Sequence, residues 1–417
     1  GVQDRSFQQI DGTVVPCDPY CPPEVSSVGE VTKAAYARVD FGTEFGSGWK
    51  LDGNFGVRYI ETKVRTGGLI GFPNGFFFDT GPAGNNDGIV QVNEIVGQCN
   101  QTPPGQTLPG YCSLSPARQQ EFANGFTGEF LVDDRDIVFD HWLPSFNAKL
   151  DVGGGLLFRA AVSKGISRPD LQLFTAGGGI GDNTNDLRQE GTLETGPLFQ
   201  LFTGNRNVRP VVSWNYDFGV EWYFDAVGSI TAAFFLKDIK GIVSNGIDLV
   251  EYTSPGGTSL EVEVNGPINS QGGTLKGVEL AYQQTYDFLP GILSGFGSQL
   301  TYTYVDGGAF GNTQVGGAAR TTFAELQPLA GISKHTVNAV LFYEKGPLSA
   351  RAAYNWRSDF LITPRDDIFP FSPIWQESGG QLDASIFYTV NDHLKVGVQG
   401  VNLLDQVTRT SQVIDFD

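Results

Sequence analysis

Methionine is absent from the 417 residues, histidine occurs three times and cysteine four times. The histidines, His141, His335 and His393, fall on separate strands or turns, and no Ser or Cys nucleophile motif accompanies them, so the chain is not expected to be an enzyme. No run of about eighteen consecutive apolar residues exists, which excludes membrane-spanning helices. Cationic charge is scarce as well: 27 Lys and Arg stand against 46 Asp and Glu, for a net charge of −19. Nucleic-acid binding needs clustered Lys and Arg to displace counterions, and is excluded on that ground. Gly-rich stretches such as Gly177-Gly178-Gly179 follow no strand-to-helix pattern, so no phosphate loop is expected, and nothing else calls for a cofactor.

The four cysteines form two local pairs, Cys17 with Cys21 and Cys99 with Cys112, all in Pro- and Gly-rich loops. Even, locally paired loop cysteines suggest disulfides in an oxidising compartment. Zinc is the weaker reading, since neither pair has a second Cys or His pair at a useful spacing, and no metal site is expected. The run Asp182-Asn183-Thr184-Asn185-Asp186 invites a calcium reading but lacks the downstream Gly and Glu of a calcium loop, so a solvated polar loop is expected there.

What the chain has in abundance is alternation. In Ser213 to Val243, Trp214, Tyr216, Phe218, Val220, Trp222 and Phe224 point one way, while Asn215, Asp217, Gly219, Glu221 and Tyr223 point the other. Asp225 to Gly228 turn the chain, and Ile230, Ala232, Phe234 and Leu236 return along the apolar face. One oily face and one polar face over strands of that length suit a membrane-spanning barrel, in which lipid meets apolar side chains and a wet lumen accepts polar ones. The 55 glycines and 12% aromatics fit a barrel with many turns and aromatic girdles, though they also fit a soluble sandwich or propeller.

The same unit recurs six times, giving twelve strands at about 33–46, 48–62, 137–151, 155–167, 213–224, 229–243, 273–287, 294–305, 332–344, 348–360, 380–390 and 394–403. Links alternate between short turns and long irregular loops, as in a barrel with short periplasmic turns and large external loops. A propeller would repeat a blade motif, and none recurs. The first strand descends from the external side and the last rises to it, so at least one strand is expected before Gly1 and one after Asp417. An open sheet in lipid would leave unpaired edges.

Several stretches then carry a family likeness: Gly53-Asn54-Phe55-Gly56-Val57-Arg58-Tyr59, His141-Trp142-Leu143-Pro144-Ser145, Ser163 to Leu171 (SKGISRPDL), Phe218 to Phe224, Lys237-Asp238-Ile239-Lys240, Gly277-Val278-Glu279, Tyr343 to Gly346, Tyr354 to Arg357, and Val401-Asn402-Leu403-Leu404-Asp405. In that order they resemble the C-terminal part of TonB-dependent outer-membrane receptors, in particular the group abundant in Caulobacter- and Xanthomonas-like bacteria. The resemblance implies an all-β fold: an antiparallel transmembrane β-barrel, partial, with about 12 of an expected 22 strands. It divides the chain into an external loop remnant (1–32), the C-terminal part of the barrel (33–405) and the start of the last external loop (406–417), with plug domain and final strand absent.

The resemblance also implies a Gram-negative outer membrane, lipid around the wall, the protein's own plug domain inside it, the TonB complex acting through an N-terminal region, and a small nutrient ligand. An oligosaccharide is the favoured ligand, with a ferric siderophore or cobalamin as the other classes. A passive porin-like channel is the alternative function, and a soluble glycan-binding β-protein the third. Candidate substrate contacts are Phe76, Phe77, Phe78, Arg168, Arg357, Asp359 and Trp375, with Phe369 and Phe371 as further loop aromatics. For Arg168 the structural reading, bracing a loop root with Asp170 after Pro169 ends the strand, stands beside the functional one. Candidate lumen- or plug-facing residues are Arg159, Asn215, Asp217, Glu221, Glu279, Arg351, Asn355 and Asp383, with Gln381.

Overall fold

Period-two patterning becomes one continuous antiparallel sheet of twelve strands in the computed structural model, which describes residues 5–8, 14–17, 20, 25–311, 326–364 and 372–412. The wall strands are β1 (Ser27–Glu44), β2 (Lys50–Gly67), β3 (Arg135–Asp151), β4 (Leu156–Ser167), β5 (Val211–Tyr223), β6 (Ser229–Lys240), β7 (Gly273–Thr285), β8 (Phe296–Asp306), β9 (His335–Lys345), β10 (Leu348–Arg357), β11 (Gly379–Asn391) and β12 (Leu394–Gly400). Each pairs with its neighbours in chain order, so the sheet is a pure meander. It is not closed among the described residues, where β1 and β12 each have one partner in the sheet. The proposed Cys17–Cys21 pair, Phe369 and Phe371 lie outside the described side chains.

Tight turns join the strands at one end. At the β3–β4 turn Gly155 has φ +75, and a Cβ there would lie 2.0 Å from the Tyr223 carbonyl oxygen, so only glycine fits. All the long links leave the opposite end. Three of them are ordered rather than irregular, contrary to the sequence expectation. The β2–β3 link holds helices α1 (Phe76–Asp79), α2 (Val92–Cys99) and α3 (Pro116–Asn124), and the β4–β5 link holds α4 (Thr184–Glu190). The β6–β7 link is a long hairpin, Val243–Thr253 with Ser259–Asn269, and Phe199–Phe202 adds to it in parallel. These three links share one apolar core that includes Phe78, Ile95, Tyr111, Phe122, Leu187, Phe199, Leu201 and Val262. The Phe122 ring stacks between Tyr111 (5.6 Å) and Phe199 (5.3 Å). We call this body the cap.

Asp182 to Asp186 also depart from expectation. The segment starts helix α4 rather than forming a solvated loop, with Asn183 and Thr184 1% and 0% exposed. The Asp182 carboxylate accepts the Thr184 N–H at 2.7 Å, satisfying a donor at the helix start.

Two wall strands extend five or more residues beyond their sequence bounds. β1 starts at Ser27 rather than at 33, and β2 continues to Gly67 rather than stopping at 62. Along β2 and β3 the pattern inverts toward the ends that carry the long links, as strands leaving a bilayer require. Below, Phe55, Tyr59, Trp142 and Phe146 point outward, and Asn54 and Asn147 pair inward at 3.1 Å. Above, Lys63 and Asp136 point outward and pair at 2.5 Å. Val64, Ile137 and Phe139 there point inward and are buried around Phe174 and Val208. The outward Tyr59–Trp142 pair, rings 4.9 Å apart, sits at the changeover, where an aromatic girdle belongs.

Candidate functional site

The concave face of the wall is built by register. Arg159 on β4 faces Lys149 on β3 and Gly219 on β5, Asn215 faces Lys237, and Ala233 faces Glu279. On β8 to β11, Thr301 faces Asn338, Asn338 faces Asn355, and Asn355 faces Gln381, while Arg351 faces Ser385 and Ala353 faces Asp383. Because consecutive residues alternate sides, these ladders put all eight sequence-predicted lumen residues, Arg159, Asn215, Asp217, Glu221, Glu279, Arg351, Asn355 and Asp383, on a single face.

Residues from β1 through β7 line a cavity of about 850 Å³ on that face. Its charges are largely paired: Arg159 with Glu221 at 2.7 Å, Lys149 with Asp52 at 3.1 Å, and Arg38 with Asp40. Asp217 and Glu279 also line it, and no cationic side chain pairs with either among the described residues. Sequence reasoning missed Arg38, Asp40, Asp52, Lys149 and Lys237. The signal was available, since each lies at the polar phase of its strand's alternation.

Predicted substrate contacts fall in several places. Phe76 and Phe77, 53% and 57% exposed, lie on the cap surface, whereas Phe78 is 5% exposed inside the cap core, its ring edge-on to Tyr111, Phe122 and Phe126. Arg168 reaches over β3 and β2 to the first strand, pairing with Glu30 and donating to the Thr32 hydroxyl at 2.9 Å. Asp170 accepts the Gln172 N–H at 3.0 Å, starting the single turn Leu171–Phe174 that carries Phe174 into the mouth of the wall. This geometry gives Arg168 a bracing role. Arg357 lies over the Phe360 ring at 4.1 Å beside exposed Asp359, at the root of the β10–β11 link. Trp375 sits mid-strand in a small sheet between Leu361 and Ser411. The structure does not bring these residues into one constellation.

The cap's order rests on residues that no sequence signal singled out. Buried Asp79 accepts the N–H groups of Asp87 (2.9 Å) and Gly88 (3.1 Å). Buried Glu94 accepts those of Asn85 and Gln91, both at 3.0 Å. Two carboxylates thus satisfy four backbone donors and pin the turn between α1 and α2. Cys99 at the end of α2 is bonded to Cys112, whose Cα lies 5.7 Å away. Among the described residues, no cluster of three or more His, Cys, Asp or Glu is placed to hold a metal ion.

Residues 2–403 match the family model described as TonB dependent receptor-like, beta-barrel. The chain belongs to this family. The TonB-dependent receptor barrel explains the geometry above: an antiparallel wall with lipid outside, a charged face within, and large loops at one end, in the outer membrane of a Gram-negative cell. Similar solved structures are the siderophore receptor PirA from Acinetobacter baumannii (13% identity, TM-score 0.48, covering 91% of this chain and 51% of that one), the ferric yersiniabactin uptake receptor FyuA from Yersinia pestis (12%, 0.47, 93% and 45%) and the ferric-catecholate import receptor Fiu from K12 E. coli (14%, 0.49, 91% and 41%). The chain spans about half the length of these receptors. No curated protein matches it.

Proposed function

We propose that the chain is the wall and cap of an active receptor that takes up a scarce nutrient, with an oligosaccharide as the ligand class. The observation that carries this reading is the pairing of a lipid-facing sheet with an ordered cap rooted inside its mouth through Phe174. A passive channel needs an open mouth, whereas a cap packed onto the inner wall suits capture followed by energised release. Asp217 and Glu279 are exposed on the concave face, and a plug domain seated there would bury them and so would have to supply cationic partners. The two open edges of the sheet have no hydrogen-bond partners in hydrocarbon, so further strands are proposed to continue the wall from β1 and β12. The net charge of −19 and the exposed Phe76 and Phe77 favour a neutral sugar over an anionic chelate.

The test is uptake by cells expressing the full-length protein, with and without TonB, using radiolabelled oligosaccharides and ferric siderophores. Accumulation of a sugar that disappears when TonB is deleted is expected. Uptake that persists unchanged without TonB would make the wall a passive channel, and uptake confined to ferric chelates would overturn the ligand class.

A further inference from the structure

The cap holds a second cavity of about 590 Å³, well above the bilayer and separate from the concave wall. Its sides come from three different links. Gly88 to Val90 and the end of helix α3 belong to the first, Leu198 and Phe199 to the second, and the tip of the hairpin, Thr258 to Glu261, to the third. The volume lies within the range of small-molecule sites, which run from about 300 to 1,000 Å³.

The polar lining is Glu121, Asn124, Thr127, Thr258, Ser259 and Glu261, and no Lys, Arg or His is among the lining residues. The lining also has apolar members: Ile89 is 65% exposed, and the Phe126 ring is held edge-on by Phe122 at 5.0 Å and Phe78 at 5.2 Å. Glu121 is neutralised by Arg118 at 2.7 Å. Glu261 has no such partner among the described residues, and it stands directly across the hairpin from Glu251. Like charges facing each other on a two-stranded ribbon are destabilising. Hydrogen-bond donors brought to Glu261 from outside would relieve that cost.

We propose that this cleft is a capture site for a neutral sugar of two or three rings, on the outer surface of the receptor. A sugar ring offers an apolar C–H face to Ile89 and Phe126. Its hydroxyl edge donates to Glu121 and Glu261 and bonds with Asn124, Thr127, Thr258 and Ser259. Phosphates and ferric chelates bring negative charge to a rim whose only charged side chains are the carboxylates of Glu121 and Glu261. Because the ligand bridges three links, occupancy also ties the cap together. The proposal rests on the receptor reading above for its purpose, while the ligand chemistry comes from the cleft's own side chains.

The test is calorimetric binding to purified full-length receptor of maltotriose, cellotriose and xylotriose, with ferric citrate and spermidine as charged controls. At least one trisaccharide is expected to bind. Ser259→Trp, which fills the cleft, and Glu261→Lys, on its exposed rim, should each weaken binding at least tenfold. Circular dichroism melting should not fall for Glu261→Lys, since a cation facing Glu251 removes the like-charge pair, and this separates loss of the site from loss of the fold. Trisaccharide binding that both variants leave intact would overturn the cleft and leave the receptor reading standing. Absence of any sugar binding would overturn the capture site, and tight binding of ferric citrate or spermidine in its place would overturn the sugar class of the receptor reading as well.

Discussion

Tyr252, on the cap hairpin, is 7% exposed. Burial raises its phenol above the ordinary 10.0, Arg206 and Arg135 nearby hold it back, and Asp248 pushes it further up. Burial raises Tyr111 in the same core. A group whose folded pKa lies above its unfolded one supports the fold fully below the unfolded value, and that support is lost as pH rises through the folded one. The cap should therefore weaken as pH climbs from about 10 upward, as these buried rings are forced to ionise. Tyr252→Phe removes one such group. The variant's cap melting temperature should fall less between pH 9 and pH 11 than that of the unaltered protein, and identical falls would show that Tyr252 does not govern the alkaline transition.

The twelve wall strands have different requirements along their lengths. At mid-wall, Phe218 faces outward beside Phe234, ring centroids 6.4 Å apart, and meets hydrocarbon. Val138 also faces outward, 56% exposed, but lies above the Tyr59–Trp142 girdle between Asp136 and Asp140, where water replaces lipid. A cation at the bilayer midplane costs about 2–4 kcal/mol, and the cost falls to about 0–1 near the interface. Phe218→Arg should therefore reduce the folded, SDS-resistant fraction seen on unheated gels, while Val138→Arg should leave it unchanged. If both variants assemble equally well, the boundary does not lie at the girdle. The inward face follows the opposite rule, since Val64 is completely buried whereas Asn54, ten residues earlier on the same face of the same strand, lines the water-accessible cavity.

The whole molecule combines two kinds of stability. The wall is held by strand pairing along its length and by burial of its outer face in lipid. The cap is a water-exposed body with its own core, pinned by Asp79 and Glu94 and crosslinked by Cys99–Cys112, which are 13 positions apart. Closing a loop of about fifteen residues contributes roughly 3 kcal/mol in the chain-entropy account. Cys99→Ser with Cys112→Ser should thus lower a cap transition in calorimetry and speed protease cleavage within 68–134 on intact cells, with the wall transition unmoved. A single transition that shifts as a whole would show that cap and wall unfold together.

By itself the sequence determined the wall. Twelve strands, their order, their alternation of short and long links, and the face on which Arg159, Glu221 and Asn355 lie all follow from a period of two that lipid enforces on one side. It could not locate where β2 would end, because at Lys63 and Val64 polar and apolar residues exchange faces, and a reading tuned to lipid takes the exchange for a loop. Nor could it foresee the cap. Phe78, Phe122, Phe199 and Val262 are spread over three links, and no local pattern marks residues whose burial depends on partners far away in the chain. Tertiary structure decided those positions, since an aqueous core is defined by which distant segments meet, whereas the bilayer imposes its pattern on each strand separately.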